Sequence, residues 1–179
     1  MGFIKDFDTK HQDNAIWQYI KFNFVSFSVT IIQLLLANLL PIIFDSLTTK
    51  LPMILRGIFN PAYLFEGESI YVVDGVVTWG YVLPFLLSNL IANIYGYFVN
   101  MKATFKGEGT KWGLFFYIVI LLSLILFSTW LQGFIAAKLE GGALSSLART
   151  IAALVAGFVQ MVVLFPLEKF VLFRRRKHA

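Results

Sequence analysis

The sequence predicts an all-α integral membrane protein with four transmembrane helices. Four long apolar runs, residues 19–44, 79–100, 112–137 and 147–173, fill most of the 179 positions. Each reaches the roughly 20 residues that a helix rising about 1.5 Å per residue needs to cross a ~30 Å hydrocarbon core. Hydrophobic residues make up 58% of the chain and charged ones only 14%, too few to clothe a soluble domain. If the runs alternate across the bilayer, eleven of the fifteen Lys and Arg fall on the side of the two termini and the 101–111 loop. That bias predicts cytoplasmic N and C termini.

Taken in order, residues 1–18 are polar and predict a short surface helix or lead-in. They contain no apolar h-region, so no signal peptide is expected. The first span starts near Tyr19. Residues 45–78 then predict an outer flap. Its apolar stretch 51–65 is broken by Pro52, Arg56, Gly57 and Pro61 and is too short to span, which fits an interfacial or re-entrant segment. Asp74-Gly75 between Tyr-Val-Val and Val-Val is a hairpin signal; an irregular loop lying on the bundle is the other reading. The second and third spans are joined by only eleven residues and should be antiparallel neighbours. Between the third and fourth, Gly141-Gly142 marks a tight turn, with Ser145 or Ser146 placed to cap the fourth span. The tail Arg174-Arg175-Arg176-Lys177 reads as a topology anchor or as a cluster drawn to anionic headgroups. The whole chain, 1–179, is one transmembrane domain.

Polar residues recur on helical faces inside these runs. The first span carries Asn23, Ser26, Thr30 and Gln33 at spacings of three, four and three; the second carries Asn89, Asn93 and Asn100, with Gly96 on the same stripe. The fourth carries Gln160 near its middle. An unpartnered polar group in hydrocarbon costs several kcal/mol, so the stripes face other helices or a wet cavity. Two readings stand: a polar groove for a headgroup, or interhelical hydrogen bonds worth about 0.6–2 kcal/mol each. Small-residue pairs Ala92/Gly96, Gly133/Ala137 and Ala153/Gly157 predict close helix packing. Ionisable residues lie toward the span ends: Lys21, Lys102, Glu168 and Lys169 at the cytoplasmic side, Arg149 about a turn inside the outer one. They snorkel to the interface or bind phosphate at the groove's mouths.

Zero cysteines exclude thiol chemistry, and both histidines, His11 and His178, are terminal, which excludes an intramembrane His cluster. No paired carboxylates, glycine-rich phosphate loop or Ser/His/Asp set is present, so neither an enzyme nor a cofactor is expected. No nucleic-acid partner is expected either, because the net charge of +5 is explained by topology. A small multidrug exporter would carry a glutamate in mid-span of the first helix, where this chain has Ser26, Thr30 and Gln33.

The ends of the second and fourth spans align. Tyr97, Asn100, Lys102 and Phe105 match Phe165, Glu168, Lys169 and Phe173 in order, and the first and third spans open with Lys21-Phe22 and Lys111-Trp112. The chain therefore reads as two helical hairpins in parallel repeat. In these residues it resembles the GtrA-like family, small four-helix membrane proteins with a basic–Phe pair opening the first helix and an aromatic–x–x–Asn–Arg/Lys–x–aromatic–x–Phe motif closing the second and fourth. Two departures are visible: the lysine after Asn100 comes one residue late, and Glu168 stands where the family has its second Asn.

The resemblance implies translocation of a polyprenyl-phosphate-linked monosaccharide across the bacterial cytoplasmic membrane, for glycosylation of a cell-surface polymer such as teichoic acid. The expected partners are that lipid-linked sugar, membrane lipids, a membrane glycosyltransferase and further copies of the chain. Lys21, Asn100, Lys102, Arg149, Glu168 and Lys169 become candidates for the phosphate and sugar head. Asn23, Ser26, Thr30, Gln33, Asn89, Asn93 and Gln160 become the groove along which the head slides while the tail stays in lipid. A scaffold subunit for a glycosyltransferase, and a small-molecule exporter, remain as alternatives.

Overall fold

The computed structural model describes residues 2–12, 14–44, 46–65, 68–139, 142 and 148–173. The Ser145 or Ser146 cap and the 174–177 basic cluster lie outside the described residues. Most of the chain is helical. Helix α1 (Gly2–His11) precedes α2 (Ala15–Leu39), which runs on through Pro41 into α3 (Pro41–Phe44). Two single turns, α4 (Met53–Arg56) and α5 (Pro61–Leu64), and a hairpin, β1 (Val72–Val73) and β2 (Val76–Val77), lead to α6 (Trp79–Val99). Helices α7 (Lys111–Leu139) and α8 (Ala148–Pro166) complete the bundle.

Four helical stretches are long and apolar enough to cross a membrane: Ala15–Phe44, Trp79–Thr104, Lys111–Leu139 and Ile151–Leu172. The first begins four residues before the expected Tyr19. The reason is local: the Asn14 side chain accepts hydrogen bonds from the backbone N–H groups of Ile16 and Trp17 at 2.8 and 3.2 Å, capping the helix there.

Helix α2 packs on α6, α6 on α7, and α7 on α8. The main core gathers Phe22, Tyr97, Phe105, Tyr117, Leu121, Ile125, Leu164 and Phe173. Large apolar side chains such as Phe24, Phe27, Leu34, Phe116 and Phe158 point outward instead, a surface suited to acyl chains rather than water. Gly96 sets the closeness of α2 and α6, since a Cβ there would lie 2.6 Å from Cγ2 of Val29. The small-residue pairs divide. Ala92 and Gly96 are buried in packing as expected, whereas Ala153 and Gly157 are exposed, and α8 packs through Ala152 and Ala156, one position earlier.

Helices α6 and α8 both end in π-helix, Asn100–Thr104 and Leu167–Leu172. Each wide turn closes with the same bond: Phe105 N–H donates to Asn100 C=O, and Phe173 N–H to Glu168 C=O, both at 2.9 Å. These are the two segments that align in the sequence.

The described residues between α3 and α6 are folded. Val72 pairs with Val77 and Val73 with Val76, and the intervening Asp74 and Gly75 both take positive φ, 48° and 72°, as a two-residue type I′ turn requires. Leu51 N–H donates to Val77 C=O, and Leu51, Phe59, Val77 and Val82 form a second buried cluster. Face and edge contacts among Phe65, Tyr71, Tyr81 and Phe85 hold the hairpin to the first turns of α6. The alternative of an irregular loop therefore does not hold.

Candidate functional site

A cavity of about 210 Å³ lies between α2, α6 and α8, with Tyr117 of α7 in its wall. Helix α2 contributes Ser26, Thr30 and Gln33; α6 contributes Asn93, Gly96 and Asn100; α8 contributes Gly157 and Gln160, and its π-turn Glu168. Thr30 and Gly157 are exposed, so the cavity opens sideways between α2 and α8 as a groove. The polar stripes of three helices thus meet, because spacings of three and four keep a residue type on one face.

The hydrogen bonds decide how this polarity is used. Ser26 Oγ donates to Phe22 C=O at 2.9 Å, Thr30 Oγ1 to Ser26 C=O at 3.0 Å, and Asn93 Nδ2 to Asn89 C=O at 2.9 Å. Asn23 and Asn89 do the same, to Tyr19 and Phe85, and neither lines the groove. These side chains bond their own helix one turn back rather than a neighbouring helix, against the expectation of interhelical hydrogen bonds. Back-bonding consumes a donor and leaves oxygen lone pairs facing the groove. Bonds between helices are also present here: Tyr117 hydroxyl donates to Asn93 C=O at 3.1 Å, tying α7 to α6, and Tyr19 hydroxyl donates to Met161 Sδ at 3.6 Å, tying α2 to α8.

At the base of the groove the two π-turns bring Asn100 and Glu168 together. Asn100 is 3% exposed and Glu168 1%. Asn100 Oδ1 accepts from Thr104 Oγ1 at 2.9 Å, and its side chain is a hydrogen-bonding neighbour of the Glu168 carboxyl. Glu168 Oε2 is buried with no hydrogen-bond partner among the described residues, and so is the Tyr97 hydroxyl. Of the two readings for Glu168, snorkelling to the interface therefore does not hold. The widened turn tucks it inward.

The basic candidates lie elsewhere. Lys21 Nζ donates to Asp8 Oδ1 at 2.8 Å and to Ala103 C=O at 3.0 Å. Lys169 Nζ sits over the Phe165 and Phe170 rings, 5.6 and 5.3 Å from their centroids, a cation–π arrangement. Lys102 is exposed on the first π-turn. None of the three lines the groove. Arg149 lies in the first turn of α8, and its side chain is outside the described residues.

Sequence reasoning missed Asp8, which anchors α1 to the bundle. Its carboxylate takes hydrogen bonds from Lys106, Lys21 and Trp17 Nε1, each at 2.8 Å. The bonds from Lys106, then Lys21 and Trp17, hold its pKa well below the usual carboxylate range. The sequence offered no periodic signal for it. Tyr117 was also missed, although a tyrosine among phenylalanines inside the span needs a partner for its hydroxyl.

The fold and groove together define a multi-pass membrane protein with a laterally open polar site. No family model, curated protein or solved structure matches this chain.

Proposed function

We propose that this protein translocates a polyprenyl-phosphate-linked monosaccharide across a bacterial cytoplasmic membrane, with both termini on the cytoplasmic side. The observation that carries the reading is the groove: about 210 Å³, lined by amides, hydroxyls and one carboxyl, and open toward lipid between α2 and α8. A closed channel would have to enclose the prenyl tail. A lateral groove lets a hydrated head move through the bundle while the tail stays in hydrocarbon, and its polar lining replaces the water that the head gives up. In this reading Lys102 and Lys169, on the two π-turns, receive the phosphate beside the groove's cytoplasmic mouth.

The matched π-turns support an origin in two parallel helical hairpins, because the same i to i+5 closure recurs at the aligned positions. A glycosyltransferase that consumes the sugar beyond the membrane would draw the net movement without a coupling ion. The test is native mass spectrometry of the purified protein with polyprenyl-phosphate-glucose, comparing wild type with Gly157→Leu. Gly157 lines the groove and nothing lies within 4 Å of a Cβ there, so leucine at this position is introduced to occupy the groove. Retention by wild type and loss in the variant is the expected result. Equal, nonspecific retention by both would leave the scaffold reading in its place.

A further inference from the structure

Among the described residues, the groove's only ionisable lining residues are Glu168 and Tyr117, and no cation lines it. Of the described lysines near that end, Lys21 and Lys106 pair with Asp8, Lys169 lies over the Phe165 and Phe170 rings, and Lys102 is exposed outside the groove. The carboxyl itself is almost wholly buried, and its Oε2 has no donor. A buried acceptor left without a donor is costly, so the site is complete only when something supplies one.

The surrounding atoms narrow what that something is. Ser26 and Thr30 have spent their hydroxyl donors on their own helices and Asn93 one of its two amide donors, while the amides of Gln33 and Gln160, which both donate and accept, complete the lining. A phosphate here would meet the Glu168 carboxyl at the base of the groove with no lining cation among the described residues to mediate. A head bearing several hydroxyls, or an ammonium, matches the lining instead.

We propose that Glu168 is the recognition group of a donor-reading site, which binds the hydroxyl or ammonium groups of a sugar head. This rests on the reading of the groove as the site of a lipid-linked sugar and adds what the site reads. It also gives the departure at this position a consequence. Asn100, in the matching π-turn, offers both a donor and an acceptor, whereas Glu168 adds a carboxyl with one oxygen unpaired beside it.

The test is competitive binding to the purified full-length protein of three probes: polyprenyl-phosphate-glucose, polyprenyl-phosphate-glucosamine and sugar-free polyprenyl phosphate. Wild type is compared with Glu168→Gln, which keeps shape and removes the carboxyl, and with Glu168→Asp, which keeps the carboxyl and withdraws it. The expected result is preference for the sugar-bearing lipids in wild type, lowered about tenfold in Glu168→Gln and less in Glu168→Asp, as for loss of a buried hydrogen bond. A larger loss for the glucosamine lipid assigns the donor to the ammonium, and an equal loss assigns it to hydroxyls. Sugar-free lipid bound as tightly as the sugar forms, or a preference unchanged in Glu168→Gln, overturns the proposal while leaving translocation standing. If no lipid binds, free glucose and glucosamine are titrated. Binding that depends on Glu168 keeps the donor-reading site and removes the lipid carrier, and no binding removes the site as well.

Discussion

The rings of Phe105 and Phe173 lie with centroids 5.7 Å apart and planes inclined by 32°. Each follows a π-turn, and each supplies the N–H that closes it, so the two wide turns lean on one another through these rings. Both side chains are buried with Tyr97, whose ring is 4.8 Å from that of Phe173. The contact holds Asn100 and Glu168 at the base of the groove. Truncating either phenylalanine opens a void in a packed cluster, at a cost of about 3 kcal/mol. Phe173→Ala should therefore lower the thermal unfolding midpoint in detergent by several degrees, whereas an alanine at lipid-facing Phe158 should leave it nearly unchanged.

Gly96 and Gly157 both line the groove but predict opposite outcomes. A methyl at Gly96 meets Val29 Cγ2 at 2.6 Å, and α2 must move or Val29 must rotate. At Gly157 the same methyl meets nothing within 4 Å and gains helix propensity of up to about 1 kcal/mol. Thermal unfolding should show Gly96→Ala destabilised by about 1–3 kcal/mol and Gly157→Ala unchanged or slightly stabilised.

Docking of α1 should depend on pH in one direction only. The pKa of Asp8 is depressed below its ordinary 3.8, so its ion pairs with Lys106 and Lys21 contribute fully above that value. The contribution is lost as pH falls through the depressed folded value. Amide hydrogen exchange in residues 2–12 should thus show constant protection through the neutral range and loss only in strong acid. Asp8→Asn should raise that exchange severalfold at neutral pH, a cost of about 1 kcal/mol for a partly exposed network.

The hairpin makes a separate prediction. Gly75 has φ 72°, where a side chain is strained, and Lys50 pairs with Asp74 at the same tip. Gly75→Ala should destabilise the 72–77 hairpin by about 1 kcal/mol. Limited proteolysis should then cut between α5 and α6 faster than in wild type, with the four long helices intact.

What could be read in advance followed local periodicity. Ser26, Thr30 and Gln33, and Asn93 and Asn100, fall on shared helical faces by spacing alone, and the structure brings both sets to one cavity. Asp74-Gly75 was legible because a two-residue turn with positive φ at both positions favours that pair. The π-turns were not, since an i to i+5 bond is stabilised by the packing of Phe105 on Phe173 across the bundle and not by the propensities of its own residues. The burial of Glu168 depends on such a turn and was hidden with it. Asp8 escaped for a similar reason: its partners Trp17, Lys21 and Lys106 are brought together only in three dimensions. For Ala153 and Gly157 the spacing was right and the face was wrong, because Ala152 and Ala156 form the same pattern one residue earlier.

The central claim is that the groove carries a lipid-linked sugar head across the bilayer. The most direct measurement reconstitutes the purified protein in vesicles loaded with polyprenyl-phosphate-glucose and follows its appearance in the opposite leaflet with a membrane-impermeant reagent for the sugar. The account predicts transfer well above that of protein-free vesicles, abolished by Gly157→Leu at equal folded protein. Transfer no faster than in protein-free vesicles, or equal transfer with the groove filled, would contradict it.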